Sequence, residues 1–372
     1  MNDLVCQECG NVFPLNAPVW RCECGGLLKV DSPVSFDIDR IASRPPNLWR
    51  YREALPIGSD EPVVSLGEGF TPLIEIDIGG RRVLAKLEYL FPTGSYKDRG
   101  AAVLVSKAVE IGVRHVVEDS SGNAGCAVAA YCARAGIACD IYVPEATSEA
   151  KLAQIRFYGA RLHRIPGSRE QTARAALAAA GHTYYASHSW NPFFFQGTKT
   201  FAFEVCEQLG WRAPDTVIVP VGNGTLLLGC SIGFRELRDA GVIDRLPRLV
   251  GVQASNCAPL AEAFDARERE PAPVNPEATL AEGIAIAEPV RGAEALAAVR
   301  ESGGRFLRVG DDDTVAALRE AGRMGLYIEP TAAATLAGVK AYCAAAPPAE
   351  TIVTALTGSG LKSTDKMLQF VT

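Results

Sequence analysis

The chain has 372 residues, 48% of them hydrophobic, and a formal net charge of -6. A chain of this length can form two or three domains with large cores. Its charges are spread without long runs of one sign, which argues against a nucleic-acid surface, because such a surface needs a clustered basic patch. No apolar run reaches membrane-spanning length, and no secretory signal is visible at the N-terminus. We therefore expect a cytoplasmic protein that binds neither membranes nor nucleic acids.

Two pairs of cysteines lie within the first thirty residues, Cys6 with Cys9 and Cys22 with Cys24. Four thiolates on two tight turns can close a tetrahedral zinc site, and the glycines after each pair let the backbone turn toward the metal. The second pair is separated by one residue rather than two, which departs from ordinary ribbon spacing. The pattern predicts a zinc-ribbon-like module over residues 1–30, and it leaves open a ribbon that keeps its thiols without metal.

After the ribbon, residues 31–62 are rich in proline and charge and predict an extended connector anchored by Trp49 and Tyr51. Strands and helices then alternate along the chain. The predicted strands are 73–78, 82–89, 114–119, 138–143, 161–165, 215–221, 249–253, 305–309 and 351–356, and the predicted helices are 101–111, 123–135, 148–158, 168–180, 195–209, 226–240, 258–267, 312–323 and 331–346. This alternation predicts parallel sheets with helices on both faces. We expect two α/β domains with a cleft between them: a larger one formed by 31–90 and 195–372, and a smaller one formed by 91–194.

The stretch 93–100, Thr-Gly-Ser-Tyr-Lys-Asp-Arg-Gly, joins a predicted strand to a predicted helix. Gly94 and Ser95 are turn and N-cap types, which places Lys97 in the first turn of the helix. The helix macrodipole is positive there and disfavours the ammonium form, so that the amine is a better nucleophile toward a carbonyl. A solvated lysine on an exposed turn is the alternative.

Three further loops join a strand to a helix or a turn. Residues 120–125, Ser-Ser-Gly-Asn-Ala-Gly, can present backbone N–H groups to a carboxylate, and Asn123 adds a donor for a phenolate-type oxygen. Residues 219–225 can cradle one phosphate, although they match neither a dinucleotide fingerprint nor a P-loop. The hydroxyl of Thr357 can hydrogen-bond an aromatic nitrogen. Each loop taken alone is also compatible with an ordinary capped helix start, but together they offer the contacts that pyridoxal phosphate needs.

The motifs at residues 68–73, 94–100, 120–123 and 356–362 closely resemble those of the threonine synthase family, which belongs to the fold-type II enzymes that use pyridoxal phosphate (PLP). The resemblance implies a homodimer in which Lys97 forms a Schiff base with the cofactor. Tyr96 would stack near the cofactor, Asn123 would contact its O3′ atom, and Thr357 would meet its pyridine nitrogen. The cofactor phosphate would be held by Gly222, Asn223, Gly224, Thr225 and Leu226.

The resemblance also implies a small amino acid as substrate, bound by Ser120, Ser121, Ala124, His188, Ser189 and Lys199. Three positions depart from the family pattern: His188 stands where an asparagine is expected, Phe194 where an arginine is expected, and Ala124 where a threonine is expected. A phosphate dianion needs hydrogen-bond donors that a phenylalanine cannot supply.

Several activities follow from these observations. The leading one is the threonine synthase reaction, in which O-phosphohomoserine and water give threonine and phosphate. Serine/threonine dehydratase-type β-elimination, an ammonia-lyase reaction, and a β-replacement synthase are the enzymatic alternatives. A zinc-ribbon interaction protein with a non-catalytic α/β body is the alternative without enzymatic activity.

Overall fold

The computed structural model describes residues 3–167 and 169–370. The strands are β1 (Asp3–Cys6), β2 (Val12–Pro14), β3 (Leu28–Asp31), β4 (Leu73–Ile78), β5 (Arg81–Lys86), β6 (His115–Glu118), β7 (Ala138–Pro144), β8 (Arg161–Ile165), β9 (Tyr184–Tyr185), β10 (Thr216–Pro220), β11 (Arg248–Ala254), β12 (Arg305–Val309) and β13 (Ile352–Ala355). The helices are α1 (Ile38–Ser43), α2 (Lys97–Glu110), α3 (Asn123–Ala135), α4 (Glu149–Phe157), α5 (Arg169–Ala179), α6 (Pro192–Thr198), α7 (Thr200–Gln208), α8 (Thr225–Asp239), α9 (Pro259–Asp265), α10 (Gly292–Glu301), α11 (Asp311–Arg323), α12 (Pro330–Cys343) and α13 (Thr364–Met367). Short 3-10 helices lie at Leu48–Ala54, Glu88–Leu90, Glu282–Ile284, Gly360–Ser363 and Leu368–Phe370.

The chain divides into two compact units. The first contains Met1–Phe70 and Lys97–Thr198, and the second contains Thr71–Tyr96 and Lys199–Thr372. These boundaries differ from the predicted ones, because residues 31–70 belong to the first unit, whereas the prediction placed residues 31–90 in the larger domain. The ribbon belongs to the first unit as well.

The first unit contains two sheets. The N-terminal sheet has the order β2-β1-β3 and is antiparallel, and the other has the order β8-β7-β6-β9 and is parallel throughout. Val116 and Val117 of β6 are buried, as expected for a strand covered on both faces. The alanine-rich α3 is buried from Ala124 to Cys132. The apolar core of this unit also includes ribbon residues such as Trp20, so that the ribbon is packed into the unit.

The second unit is built on a six-stranded sheet of order β12-β11-β10-β13-β5-β4. Only the β4–β5 pair is antiparallel; the other four pairs are parallel. All five residues of β10 are buried, which fits a central parallel strand. The predicted α/β fold class with parallel sheets is confirmed in both units.

Two predictions about secondary structure were wrong. Residues 31–62 are not an extended connector, because they contain α1 and the 3-10 helix Leu48–Ala54. The side chain of Asp37 caps the first of these helices and that of Asn47 caps the second, each by accepting a backbone N–H bond. The predicted helix 195–209 is two helices, α6 and α7, with Lys199 between them. The helix predicted over 168–180 begins on a residue outside the described part of the chain.

No helix in the described residues is both long enough and apolar enough to cross a membrane.

Candidate active site

Lys97 is the first residue of α2, as the sequence predicted. Its Nζ atom lies 5.7 Å from the centre of the Phe194 ring, which belongs to α6. The same ring packs on Gly100, where a Cβ atom would lie only 2.1 Å from the Cε1 atom of Phe194. A side chain at position 100 would therefore collide with this ring, and Phe194 places an apolar surface beside Lys97. The arginine that the family resemblance predicts at position 194 is replaced by a fully buried aromatic ring.

Strand β6 leads into the loop that holds the predicted carboxylate donors. The strand ends at Glu118, the loop includes Ser120 and Ser121, and α3 begins at Asn123. Since β6 is parallel to both of its neighbours, this loop lies at the carboxyl edge of the sheet, where ligands bind in open α/β folds. Ser120 is buried and its Oγ accepts a hydrogen bond from the Gly122 N–H at 3.2 Å.

His188 follows the neighbouring strand β9 and meets Glu118 at the same edge. Nδ1 of His188 lies 2.7 Å from Oε1 of Glu118, and the two side chains are buried. One carboxylate oxygen of Glu118, one of Asp119 and one ring nitrogen of His188 all lie within 4.8 Å of one another. Sequence reasoning named His188 and missed both carboxylates. Their signal was the pair of acidic residues directly before the 120–123 motif, at the end of a buried strand.

Burial controls the protonation of this cluster. It raises the pKa of Glu118 to about 8, against an ordinary value of 4.5, and the opposing effect of Lys97 is smaller. Burial and then Lys97 lower the pKa of His188 to about 3. Burial and the neighbouring Glu118 also raise the pKa of Asp119. Glu118 and His188 are thus held in their neutral forms, as expected where water is excluded.

The remaining predicted substrate residues are distributed over both units. Ser189 and Ala124 are buried in the first unit, together with His188 and Ser120. Lys199 belongs to the second unit, is only 1% exposed, and its Nζ lies 2.8 Å from Oε1 of Glu236. This ion pair gives Lys199 a structural partner that the sequence did not indicate.

The predicted phosphate loop has the expected form in the second unit. It follows the buried strand β10, and the fifteen-residue helix α8 begins at Thr225. Gly224 has a φ of 78°, a left-handed conformation that favours glycine. The first N–H groups of a long helix point out of its N-terminus and suit a phosphate. The side chain of Thr225 also hydrogen-bonds the hydroxyl of Tyr96, which belongs to the same unit.

Thr357 is buried in the second unit next to an acid that the sequence analysis missed. Its hydroxyl lies 3.5 Å from Oε1 of Glu329, and its carbonyl oxygen accepts the N–H of Tyr96 at 3.0 Å. The Glu329 carboxylate lies against Gly358, where a Cβ atom would be 2.3 Å from its Cδ. Burial, and then Glu329, raise the pKa of Tyr96. The predicted cofactor contacts Tyr96, Thr225 and Thr357 are thus linked by direct hydrogen bonds.

The four ribbon cysteines converge. The Sγ atoms of Cys6 and Cys24, and those of Cys9 and Cys22, are 3.6 Å apart, and those of Cys9 and Cys24 are 3.5 Å apart. A tetrahedral site with Zn–S distances of about 2.3 Å places its sulfur atoms about 3.8 Å apart. The cluster therefore fits a zinc ion, in spite of the shortened spacing between Cys22 and Cys24.

Comparison with known proteins identifies the family of this chain. A family described as pyridoxal-phosphate dependent enzymes matches residues 64–358. Threonine synthase of Methanocaldococcus jannaschii is 37% identical over 98% of this chain and 94% of that protein. Threonine synthase of Methanosarcina acetivorans is 35% identical over 91% of this chain and 86% of that protein. The processed form of threonine deaminase isoform 2 from Solanum lycopersicum shares the fold with a TM-score of 0.72, at 22% identity, over 96% of this chain and 95% of that one.

The chain therefore belongs to the pyridoxal-phosphate dependent enzymes, and its cofactor is pyridoxal phosphate. Within that class it is a member of the threonine synthase family. The predicted enzyme class, fold type and cofactor are confirmed. The individual roles of the site residues stay predictions.

Proposed function

We propose that the protein converts O-phosphohomoserine and water into threonine and phosphate. The observation that carries this proposal is the identity of 35–38% with proteins named threonine synthase, over most of both chains. The position of Lys97 at the start of α2 supports it, because an amine there suits attack on a carbonyl.

In the proposed reaction the cofactor, when bound, supplies an electron sink for the carbanion formed at Cα. Lys97 holds the cofactor covalently, takes the Cα proton of the substrate and returns protons later. N–H groups of the 120–123 loop bind the substrate carboxylate, and Asn123 contacts the cofactor O3′ atom. Residues 222–226 bind the cofactor phosphate with backbone N–H groups. Thr357 donates its hydroxyl hydrogen to the ring nitrogen.

The test compares three substrates in parallel. Purified holoenzyme is given O-phosphohomoserine, L-threonine or L-serine while phosphate, threonine and 2-oxo acids are measured. Phosphate release with threonine formation supports the proposal, and its absence together with oxo-acid formation from threonine or serine contradicts it. The Lys97→Ala variant must lose both the activity and the visible absorbance of the bound cofactor.

One observation favours β-elimination from serine or threonine as a second candidate. The side chain beside Lys97 is the apolar ring of Phe194, which offers no positive charge to a phosphate. The nearby side chains of Glu118 and Asp119 are acids and offer none either. Such a pocket suits a hydroxyl leaving group, which needs a proton rather than a cationic clamp. Oxo-acid formation in the parallel assay distinguishes this candidate.

We further propose that the ribbon binds one structural zinc ion through its four cysteines and that the protein is a cytoplasmic homodimer that does not bind nucleic acids. The convergence of the sulfur atoms supports zinc, and the net charge of -6 disfavours nucleic acids. Metal analysis of protein made with zinc present should give about one zinc per chain. Light scattering should give twice the chain mass of 39.6 kDa, and a single-chain mass would contradict the dimer.

A further inference from the structure

A buried pair of side chains near the reactive lysine has no role in the reaction described above. Glu118 is fully buried, and its Oε1 atom lies 2.7 Å from Nδ1 of His188. Its other oxygen, Oε2, is buried and has no hydrogen-bond partner among the described residues. Lys97 acts electrostatically on both side chains. The His188 ring also lies 6.2 Å from the ring of Phe194, whose centre is 5.7 Å from the Lys97 Nζ, so that the pair and Lys97 adjoin the same side chain.

The pair is neutral and not an ion pair. Burial raises the pKa of Glu118 to about 8 and lowers that of His188 to about 3. An ion pair at this depth would lose the hydration of both charges. Glu118 therefore carries a proton at neutral pH and donates it in a hydrogen bond to Nδ1. A neutral imidazole has a single N–H group. Since Nδ1 accepts the hydrogen bond from Glu118, that N–H group is at Nε2.

We propose that Glu118 and His188 form a proton-donating pair for the leaving group of the substrate. The Nε2–H group of His188 hydrogen-bonds the departing oxygen and gives it a proton. Glu118 then gives its own proton to Nδ1 of His188. The inference rests on the proposed function in so far as it assumes a substrate that loses an oxygen leaving group. It deepens that function by assigning the group that assists departure.

Protons and electrons balance over the reaction. When the bond between carbon and the leaving oxygen breaks, the oxygen keeps the electron pair and takes the hydrogen of Nε2. The proton of Glu118 moves to Nδ1, and Glu118 becomes a carboxylate. Water later adds its hydroxyl group to Cβ, and the proton that it gives up restores the neutral pair through His188.

The surrounding residues explain why a proton donor is needed at this position. The rings of His188 and Phe194 are 6.2 Å apart, and the Lys97 Nζ lies 5.7 Å from the Phe194 ring centre. A phenylalanine cannot stabilise negative charge on a departing phosphate, whereas an arginine would. Transfer of a proton to the departing oxygen neutralises the one negative charge that develops there as the bond breaks.

The ionisation of Glu118 depends on the groups that face it. These are Lys97 on α2, Asp119 after β6, Cys139 on β7, Arg169 on α5, Tyr185 on β9 and His188 itself. Lys97 and Arg169 favour the carboxylate, and an ionised Asp119 would oppose it. Desolvation outweighs these charges. Proton donation should therefore fail as the pH rises through about 8, the folded-state pKa of Glu118.

The first test is made on the holoenzyme without substrate. Infrared difference spectra below and above pH 8 should show a protonated carboxylic acid that ionises in the wild type and is missing in Glu118→Gln. His115→Asn is the matched control, because His115 begins the strand that Glu118 ends and pairs with Asp140 at the opposite end. A band of undiminished intensity in Glu118→Gln, or no such band in the wild type, overturns the inference. So does an ordered metal ion bound by Glu118, Asp119 and His188, because the carboxyl groups would then be ionised.

The second test uses whichever substrate is turned over in the parallel assay. The wild-type kcat should fall above about pH 8, and Glu118→Gln should lose this alkaline limb because an amide has no proton to give up. His188→Asn, which introduces the residue expected from the family, should lower kcat about 100-fold or more with little change in KM. An unchanged or higher kcat in His188→Asn overturns the inference. Failure of every substrate would refute the proposed function, while the infrared result would still decide the protonation of Glu118.

Discussion

The contact between Gly100 and Phe194 leads to a prediction about Gly100→Ala. A Cβ atom at position 100 would lie 2.1, 2.2 and 2.6 Å from the Cε1, Cδ1 and Cγ atoms of Phe194. Overpacking of a core costs about 1–3 kcal/mol, and three contacts this short with a fully buried ring place the cost near 3 kcal/mol. Alanine gains roughly 1 kcal/mol over glycine in a helix interior. We therefore expect a net loss of about 2 kcal/mol in the free energy of unfolding.

Urea unfolding followed by tryptophan fluorescence measures this loss. Three of the four tryptophans, Trp20, Trp49 and Trp190, belong to the first unit, so that the signal reports mainly on the unit that contains Gly100. Gly322→Ala is the matched control, because a Cβ atom at that position in α11 meets nothing within 4 Å. It should be neutral or stabilising by up to about 1 kcal/mol. Since Gly322 belongs to the second unit, the unfolding of both variants is also followed by far-ultraviolet circular dichroism, which reports on both units.

A double variant separates this clash from any other effect of the alanine. Phe194→Leu removes the ring atoms that Gly100→Ala would meet, so that the two changes together should cost less than the sum of their separate costs. If Gly100→Ala unfolds at the same urea concentration as Gly322→Ala, or if the two costs simply add, the reasoning from the ring contact is refuted.

Three further predictions concern buried or paired charges and the ribbon. Lys199→Met should lower the free energy of unfolding by about 3 kcal/mol, because Glu236 keeps its buried carboxylate without its partner; Lys199→Met combined with Glu236→Leu should restore most of the loss in the same urea assay. Arg44 lowers the pKa of Glu53 to about 2 from 4.5, so the stabilisation is present above pH 4.5 and is lost as the pH falls toward 2; acid titration of unfolding should show less of this loss in Glu53→Gln. Cys6→Ser should abolish binding of the proposed zinc and lower the urea midpoint of unfolding, with a smaller effect on kcat. Metal analysis, urea unfolding and the substrate assay measure these three effects.

Local patterns in the sequence predicted most of the second half of the first unit. The bounds of α3 and β8 match the predictions, since alanine-rich helix and alternating strand patterns are local signals. Lys97 was placed correctly at the start of α2, because the turn and cap residues before it are local as well. The turn predicted to bind phosphate was located in the same way, from glycines between a buried strand and a long helix.

The parts that were missed depend on contacts between residues far apart in the sequence. Glu118 and His188 are separated by 70 positions, and only the parallel pairing of β6 with β9 brings them to one edge of the sheet. Likewise, no local signal indicated that Lys199 pairs with Glu236 on α8. The boundary between the units could not be predicted from composition, because residues 31–70 join the first unit through their packing and not through any local signal.

The position of Trp20 within the first unit has a consequence for the order of folding during synthesis. Its ring meets the rings of Tyr185 and Trp190 edge-on at 5.1 and 5.9 Å, yet the ribbon is made about 165 residues before them. At a synthesis rate of about 5–20 residues per second, the ribbon face that carries Trp20 emerges roughly 10 to 30 s before the residues that cover it have been synthesised. The four cysteines and all three strands of the ribbon lie within the first 31 residues, so a metal ion can close this module at once. Early binding of the proposed zinc would hold the ribbon in a folded form until the rest of its unit has been synthesised.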